Sequence, residues 1–464
     1  MLIREFVDEG LGNTSYLVAS EETGQAAVID PERDVDRYLQ AAEGLGLRLR
    51  YALDTHLHND FVSGVRELAA QAQVQVGASA SAELGFEHVP LAEGESLALG
   101  ELSLGVLATP GHTPEHISFT IATSRQAVPQ AVFTGGALMV GGAARTDLLG
   151  PGWTVQLARQ LYDSLHAKLL KLPDSVRVYP THGAGSFCAA PVGAERTTTI
   201  GRERTSNYLA QPQTVEQFVA QATTGLPSYP TYFREMRAVN QRGPRVLGGL
   251  PVLKPLPVED VRARQQQGAA VLDLRPALEF VAGHIPGAYS VALREAFGTW
   301  VGWVIPFGTP LILVSHETAA EHEAAVRQLI RIGYDNLAGY LEGGLPAWQA
   351  AGLPTVAWPI ITPGEVRERL ARQDGLAVVD VRQDSEWQAG HIPGAIHVEG
   401  GQLPHADLPL SPDQPIAVHC GHHGRSTTGL ALLEQLGFKN LMLMEGGMGG
   451  WEAAHFEVET AERP

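Results

Sequence analysis

The 464-residue sequence predicts an α/β protein in three parts. An αβ sandwich comes first, followed by two tandem copies of a smaller domain with a parallel sheet. Two observations predict this. An internal repeat occupies the back half: Asp273-Leu-Arg-Pro-Ala-Leu-Glu-Phe-Val-Ala-Gly-His284-Ile-Pro-Gly-Ala returns as Asp380-Val-Arg-Gln-Asp-Ser-Glu-Trp-Gln-Ala-Gly-His391-Ile-Pro-Gly-Ala. Leu341-Glu-Gly-Gly-Leu-Pro-Ala-Trp348 likewise returns as Met444-Glu-Gly-Gly-Met-Gly-Gly-Trp451. A period of roughly a hundred residues is too long for a solenoid and reads as two domains. The front region, in contrast, is a run of short alternating strands, several of which lead directly into histidine motifs.

In each back-half copy a short apolar strand (Ala270–Asp273, Ala377–Asp380) precedes a helical stretch and the turn Gly-His-Ile-Pro-Gly. A second buried strand follows (310–314, 415–419), then an amphipathic helix and a strand ending at Glu-Gly-Gly. Strands alternating with helices imply a parallel sheet covered on both faces. In the front, strands are expected at 14–19, 25–30, 47–53, 102–108, 117–122, 131–134 and 176–179. Residues 190 to 255 turn polar and helical, then rich in Pro and Gly, as a C-terminal extension and a linker would. The expected domains are 1–245, 255–354 and 358–460.

Composition narrows the function classes. Hydrophobic residues make up 44% and charged residues 18%, which is a globular balance. A net charge of −18 repels phosphate backbones and anionic lipid, so nucleic acid and membrane surfaces are not expected partners. No apolar run approaches the roughly 18 residues of a membrane span. The N-terminus has no apolar signal region, so a cytoplasmic location is the default expectation. Only Cys188 and Cys420 are present, which excludes a disulfide framework.

Cys420 lies in the strongest local motif, His419-Cys420-Gly421-His422-His423-Gly424-Arg425-Ser426. A strand delivers the thiol, a short loop follows, and a helix is expected to begin near Ser426. Loop amides and the helix N-terminus favour an anion, and Arg425 adds a full charge. Both effects favour thiolate, the nucleophilic form. Phosphate-cradling loops place one more residue between Cys and Arg, so this loop fits sulfur better; the remaining alternative is an inert buried thiol.

Together, Asp380-Val-Arg, Gly-His-Ile-Pro-Gly-Ala, Cys-x4-Arg-Ser and Glu-Gly-Gly-x3-Trp resemble the rhodanese family of sulfurtransferases over about residues 360–460. The resemblance implies a persulfide on Cys420, cradled by Arg425 and by the backbone of Gly421 to Ser426. His422 and His423 would gate entry or contact substrate. Asp380, Arg382, Glu386 and His391 read as an ion-paired support for the loop. The first copy departs at the decisive position: Ser315 stands where the nucleophile belongs and no Arg follows it. A hydroxyl forms no persulfide, so this copy is expected to be catalytically silent, a spacer or docking surface.

In the front half, Thr55-His56-Leu57-His58-Asn59-Asp60-Phe61, Thr109-Pro-Gly-His112-Thr-Pro-Glu-His116 and Tyr179-Pro-Thr-His182 all fall at strand ends. Imidazoles and a carboxylate in such loops can converge on one metal. The three motifs resemble the metallo-β-lactamase superfamily over roughly residues 1–190, which implies an αββα sandwich. Their fusion to rhodanese repeats resembles the persulfide dioxygenase-rhodanese proteins. That resemblance implies mononuclear iron(II), held by His56, His112 and an Asp. Here Gly136 stands where that Asp belongs, and Phe61 replaces the second-metal His of hydrolytic members.

The expected metal ligands are therefore His56, His58 and His112, a set that suits zinc as well as iron(II). Asp60, Asp147 or His182 would supply a substitute ligand or its support. A metal-free binding platform is the alternative. Arg145 is a candidate for holding a substrate carboxylate, or else pairs with Asp147. Cys188 reads as a buried packing residue. The function expected from these resemblances is oxidation of a thiol persulfide such as glutathione persulfide, coupled to sulfur transfer at Cys420 and needing no organic cofactor. The alternatives are a sulfurtransferase with a zinc-binding, hydrolase-like front, and a persulfide-responsive binding protein. The resemblance is also compatible with a homodimer.

Overall fold

The computed structural model describes residues 1–123, 126–188 and 195–460. Met1–Pro251 with Ile330–Gly333 form one compact unit, and a second comprises Val252–Leu329 and the chain from Tyr334 onward.

The first unit holds two six-stranded mixed sheets. In one, β1 (Leu2–Asp8), β2 (Asn13–Ala19), β3 (Gln25–Ile29), β4 (Arg48–Leu53), β5 (Gln75–Ser79) and β6 (Val89–Leu91) lie in sequence order. The other contains β7 (Ser96–Leu99), β8 (Leu102–Ala108), β9 (Ile117–Thr123), β10 (Gln126–Gly135), β11 (Arg177–Pro180) and β12 (Thr198–Thr199). Period-two alternation decides which residues fill the middle layer. Tyr16 and Val18, Ala27 and Ile29, and Tyr51 and Leu53 face inward, against Leu104, Val106, Phe119, Phe133 and Tyr179 of the second sheet. The intervening residues face outward: Val28 and Ala52 bury against Tyr38, Val65 and Leu68 from the helices Asp36–Gly44 and Val65–Ala72. On the far side, Val132 and Val178 bury against Ala158, Leu161 and Phe218 from the helices Pro151–Asp163 and Val215–Thr223. Helix, sheet, sheet, helix is the layering expected.

The second unit contains two five-stranded sheets whose strand pairings are all parallel. The first is built from β13 (Pro255–Leu256), β14 (Ala270–Asp273), β15 (Tyr289–Ser290), β16 (Leu311–Val314) and β17 (Leu337–Leu341). The second is built from β18 (Ile360–Ile361), β19 (Ala377–Asp380), β20 (Ile396–His397), β21 (Pro415–His419) and β22 (Asn440–Met444). Their orders correspond strand for strand, β13-β17-β16-β14-β15 and β18-β22-β21-β19-β20, so the sequence repeat is a repeat of topology. Each copy has the same buried pair at the end of its central strand: Asp273 with Arg275, and Asp380 with Arg382, at 2.6 Å in both. Each arginine also donates to the carbonyl of the Gly that precedes the Gly-adjacent His, Gly283 or Gly390. The environments still differ. Beside Asp380, β21 presents His419; beside Asp273, β16 presents Val314. Burial opposes the charge on Asp380, but Arg382 and His419 outweigh it and lower its pKa, whereas on Asp273 burial prevails and raises it.

Among the described residues no helix is long and apolar enough to cross a membrane.

Candidate functional sites

The histidine motifs meet at strand ends of the sandwich. The loop after β4 carries His56 and His58, the turn between β8 and β9 carries His112 and His116, and His182 follows β11. His56, His112 and His182 each place a ring nitrogen within 4.8 Å of the others, and all three are buried. The Nε2 atoms of His56 and His182 are 3.2 Å apart. Every Nδ1 in this trio is engaged from behind. That of His56 meets Thr55 Oγ1 at 2.8 Å, that of His112 the Arg145 carbonyl at 2.7 Å, and that of His182 Asn13 Oδ1 at 2.9 Å. Holding Nδ1 fixes tautomer and ring orientation and leaves Nε2 for a metal. His112 Nε2, buried and without a hydrogen-bond partner, fits that use.

The structure thus groups His182, and not His58, with His56 and His112. His58 lies against Asp30 at 3.3 Å and Asp54 at 3.8 Å, all three buried, and a ring nitrogen of it also lies within 4.8 Å of Asp60 and His182. Burial opposes a charged ring there, yet the two carboxylates outweigh it and push His58 up to about 10. A protonated imidazole is a poor metal ligand, and two buried carboxylates need a cation. In the opposite sense, burial first and the neighbouring imidazoles next hold His112 down to about 3.

Asp60 lies behind the trio, accepting from Asn13 Nδ2 at 2.7 Å and standing 3.3 Å from His182 Nδ1. It supports His182 from the ring's far nitrogen. Asp147 forms a two-point pair with Arg145 at 2.6 and 2.7 Å. Arg145 also donates to the carbonyls of Phe187 and Pro227 and sits 4.8 Å from the Tyr229 ring. The Arg145 guanidinium is thus engaged by Asp147 and two carbonyls, and its own carbonyl orients His112. Cys188 is buried, and burial together with the Asp60 carboxylate pushes its thiol well up.

Gly136 explains why no carboxylate replaces the missing ligand at that position. A Cβ there would stand 2.8 Å from both Ala144 Cβ and His112 Cδ2. The Gly136 N–H donates instead to His116 Nε2 at 3.0 Å. Substituting Gly136→Asp is therefore expected to displace His112 rather than add a ligand. It should lower metal content and cost about 1–3 kcal/mol by overpacking, read by elemental analysis and urea unfolding.

Three supports had no motif to announce them. Asn240 Nδ2 donates to the carbonyls of His58 and Phe61, each at 2.9 Å, and its Oδ1 accepts from Ser63 N. The Tyr232 hydroxyl donates to the Asp60 carbonyl at 2.6 Å. Asn13 holds both Asp60 and His182. The helical extension that carries Tyr232 and Asn240 is thus part of the site.

In the second unit, Cys420 ends β21 and is only 2% exposed. The helix that follows runs over Gly424–Gln435, two residues earlier than expected at its start. Ser426 Oγ donates to Cys420 Sγ at 3.1 Å, and the helix N-terminus adds its partial positive charge. Arg425 is bound at two points by Glu386. His423 Nε2 accepts from Gly446 N at 3.0 Å and so props the loop, while His422 is exposed. The repeated Glu-Gly-Gly motif closes the back of the loop. Met448 N donates to the Cys420 carbonyl at 2.7 Å, and a Cβ on Gly447, whose φ is +56°, would stand 2.4 Å from that oxygen. Only glycine fits there. His391 stacks on Trp387 at 3.6 Å, next to the Glu386 that holds Arg425. In the first copy, Ser315 Oγ meets His322 Nε2 at 3.0 Å.

Geometry defines the front as an αββα domain with a buried histidine cluster that could hold a metal, and the back as paired parallel-sheet domains, one of which ends its central strand in a buried cysteine. Comparison with known proteins agrees. Residues 8–182 match the metallo-beta-lactamase superfamily, and residues 257–351 and 362–454 each match the rhodanese-like domain. Persulfide dioxygenase ETHE1, mitochondrial, of Homo sapiens is 33% identical over 203 residues, 42% of this chain and 74% of that protein. A hydroxyacylglutathione hydrolase of Methylobacillus flagellatus is 31% identical over 219 residues, 47% of this chain and 78% of that protein. A solved metallo-beta-lactamase from Staphylococcus aureus superposes with a TM-score of 0.66 at 29% identity, covering 74% of this chain and 98% of its own. The chain belongs to the metallo-beta-lactamase superfamily, is related there to the persulfide dioxygenases, and carries two rhodanese-like domains.

Proposed function

We propose that this chain oxidises a small thiol persulfide, such as glutathione persulfide, at a single metal held by His56, His112 and His182, and transfers sulfane sulfur through Cys420. The observation that carries the proposal is the pairing, in one chain, of three oriented buried imidazoles with a Cys in a Gly- and hydroxyl-lined loop. Three protein ligands on one side leave positions for two small reactants. Iron(II) bound there would supply activation of dioxygen and of the sulfur anion together. The protein's part is to fix the rings through Thr55, the Arg145 carbonyl and Asn13, and to shield the site from bulk water by burial.

The balanced reaction takes a persulfide, dioxygen and water to the thiol and sulfite, with the outer sulfur oxidised and dioxygen reduced. At Cys420, the thiolate attacks the outer sulfur of a donor. The donor's S–S bond breaks, its electron pair leaves on the carrier, and a new S–S bond forms at Sγ. An acceptor nucleophile then takes that sulfur and returns the electron pair to Sγ.

A second reading is favoured by one observation: three imidazoles with no carboxylate are also a zinc-type donor set. The front domain would then be hydrolase-like and Cys420 would carry the sulfur chemistry alone. Oxygen uptake with glutathione persulfide separates the two. Uptake matched one-to-one by sulfite supports the dioxygenase; thioester hydrolysis without uptake overturns it.

A further inference from the structure

The arginine of the Cys420 loop is already paired. Arg425 lies in a two-point contact with Glu386, and a carboxylate at that distance cancels much of its attraction for an incoming anion. A second cation faces the same loop from the other copy. Arg294 follows β15 in the copy that has Ser315 at the nucleophile position. Its guanidinium carbon lies 3.8 Å, and its Nη2 3.9 Å, from where a Cβ on Gly424 would stand. Gly424 opens the helix behind Cys420. Arg294 is exposed, and among the described residues no carboxylate pairs with it.

Its position is fixed by contacts between the copies. Thr428, in the Cys420 helix, donates to the Ser290 carbonyl at 2.6 Å. Glu434, further along, accepts from Gly287 N at 2.9 Å and meets His284 at 3.1 Å. The Trp303 ring fills the space over Gly401, where a Cβ would stand 1.6 Å from its Nε1. The Arg294 carbonyl itself accepts from Phe297 N and from Gln328 Nε2.

We propose that Arg294 is an anion-recognising residue of the Cys420 site, supplied by the copy that has Ser315 in place of a nucleophile, and that it binds the charged end of the sulfur donor. Attack by a thiolate on an anionic donor brings like charges together, and an unpaired guanidinium offsets that repulsion. The silent copy is then a working part of the sulfur-transfer site. This inference rests on Cys420 being the nucleophile.

The test uses the full chain, with thiosulfate as donor and cyanide as acceptor. Arg294→Gln is expected to raise the KM for thiosulfate about tenfold, the loss of one charge-assisted hydrogen bond, with kcat within about twofold. Its KM should also lose most of its dependence on ionic strength, a readout that a merely structural role would not move. Arg294→Lys should recover part of both. An unchanged KM and unchanged salt dependence in Arg294→Gln, with wild type active, overturns this inference alone. A wild-type chain that takes up no sulfur on Cys420 overturns both it and the reading it rests on.

Discussion

Replacing Cys420 by Ser is expected to abolish sulfur transfer, by at least about a thousandfold, while the fold and the metal content stay as they were. The side chain is nearly isosteric and the loop's backbone contacts do not involve Sγ: Met448 N reaches the Cys420 carbonyl, and Gly449 N the Gly421 carbonyl. What disappears is the only atom in the loop able to carry sulfane sulfur. Transfer from thiosulfate to cyanide gives the rate, and intact mass gives the gain of one sulfur atom. Cys188→Ser is the control. Its thiol is buried and pushed well up, so it stays protonated and sulfur loading should persist. Loading that persists in Cys420→Ser and vanishes in Cys188→Ser would reverse the assignment. The first copy shows why the loop matters as well as the atom. Ser315 is followed by Glu317 and Glu321, with His316 held by Glu279 and Glu321, so Ser315→Cys alone should create no second transfer site.

The second large effect separates His182 from His58, whose ring centres lie 5.3 and 4.2 Å from that of His56. The His56 ring is tilted against His58 and meets His112 edge-on. His182→Ala removes one of three oriented ligands and should cut metal content to below about a tenth, while stability measured without metal changes little. His58→Asn should behave in the opposite way. It removes the cation between Asp30 and Asp54, leaving two buried carboxylates facing one another, and is expected to cost about 3–5 kcal/mol while the protein that remains folded still binds metal. Elemental analysis and urea unfolding on both variants read the crossover. Metal lost in His58→Asn and kept in His182→Ala would restore the ligand set expected from sequence.

That contrast shows where sequence stopped being sufficient. The repeat made the two parallel sheets legible, because strand, turn and Glu-Gly-Gly recur in the same order. The strand-end motifs made His56 and His112 legible. A His-x-His spacing does not say which ring would face a metal, and here Asp30, just after β3, and Asp54, just after β4, engage the His58 ring. His182 was visible only as a supporting residue, since its convergence with His56 depends on two strands from different sheets. β1 went unseen because Leu2–Asp8 is a half-exposed edge strand whose polar residues blur the alternation. Asn13, Tyr232 and Asn240 carry no motif; their partners lie far along the chain. Arg294 is equally silent in sequence, because its relevance comes from the neighbouring copy.

A mononuclear centre on His56, His112 and His182 is the proposal on which the oxidation chemistry rests. The most direct test is elemental analysis of the full chain purified without oxygen. The expected result is about one metal ion per chain, iron where the persulfide-oxidising reading holds, and near-complete loss in His182→Ala. Two ions per chain, or a full complement of metal in His182→Ala, would contradict it.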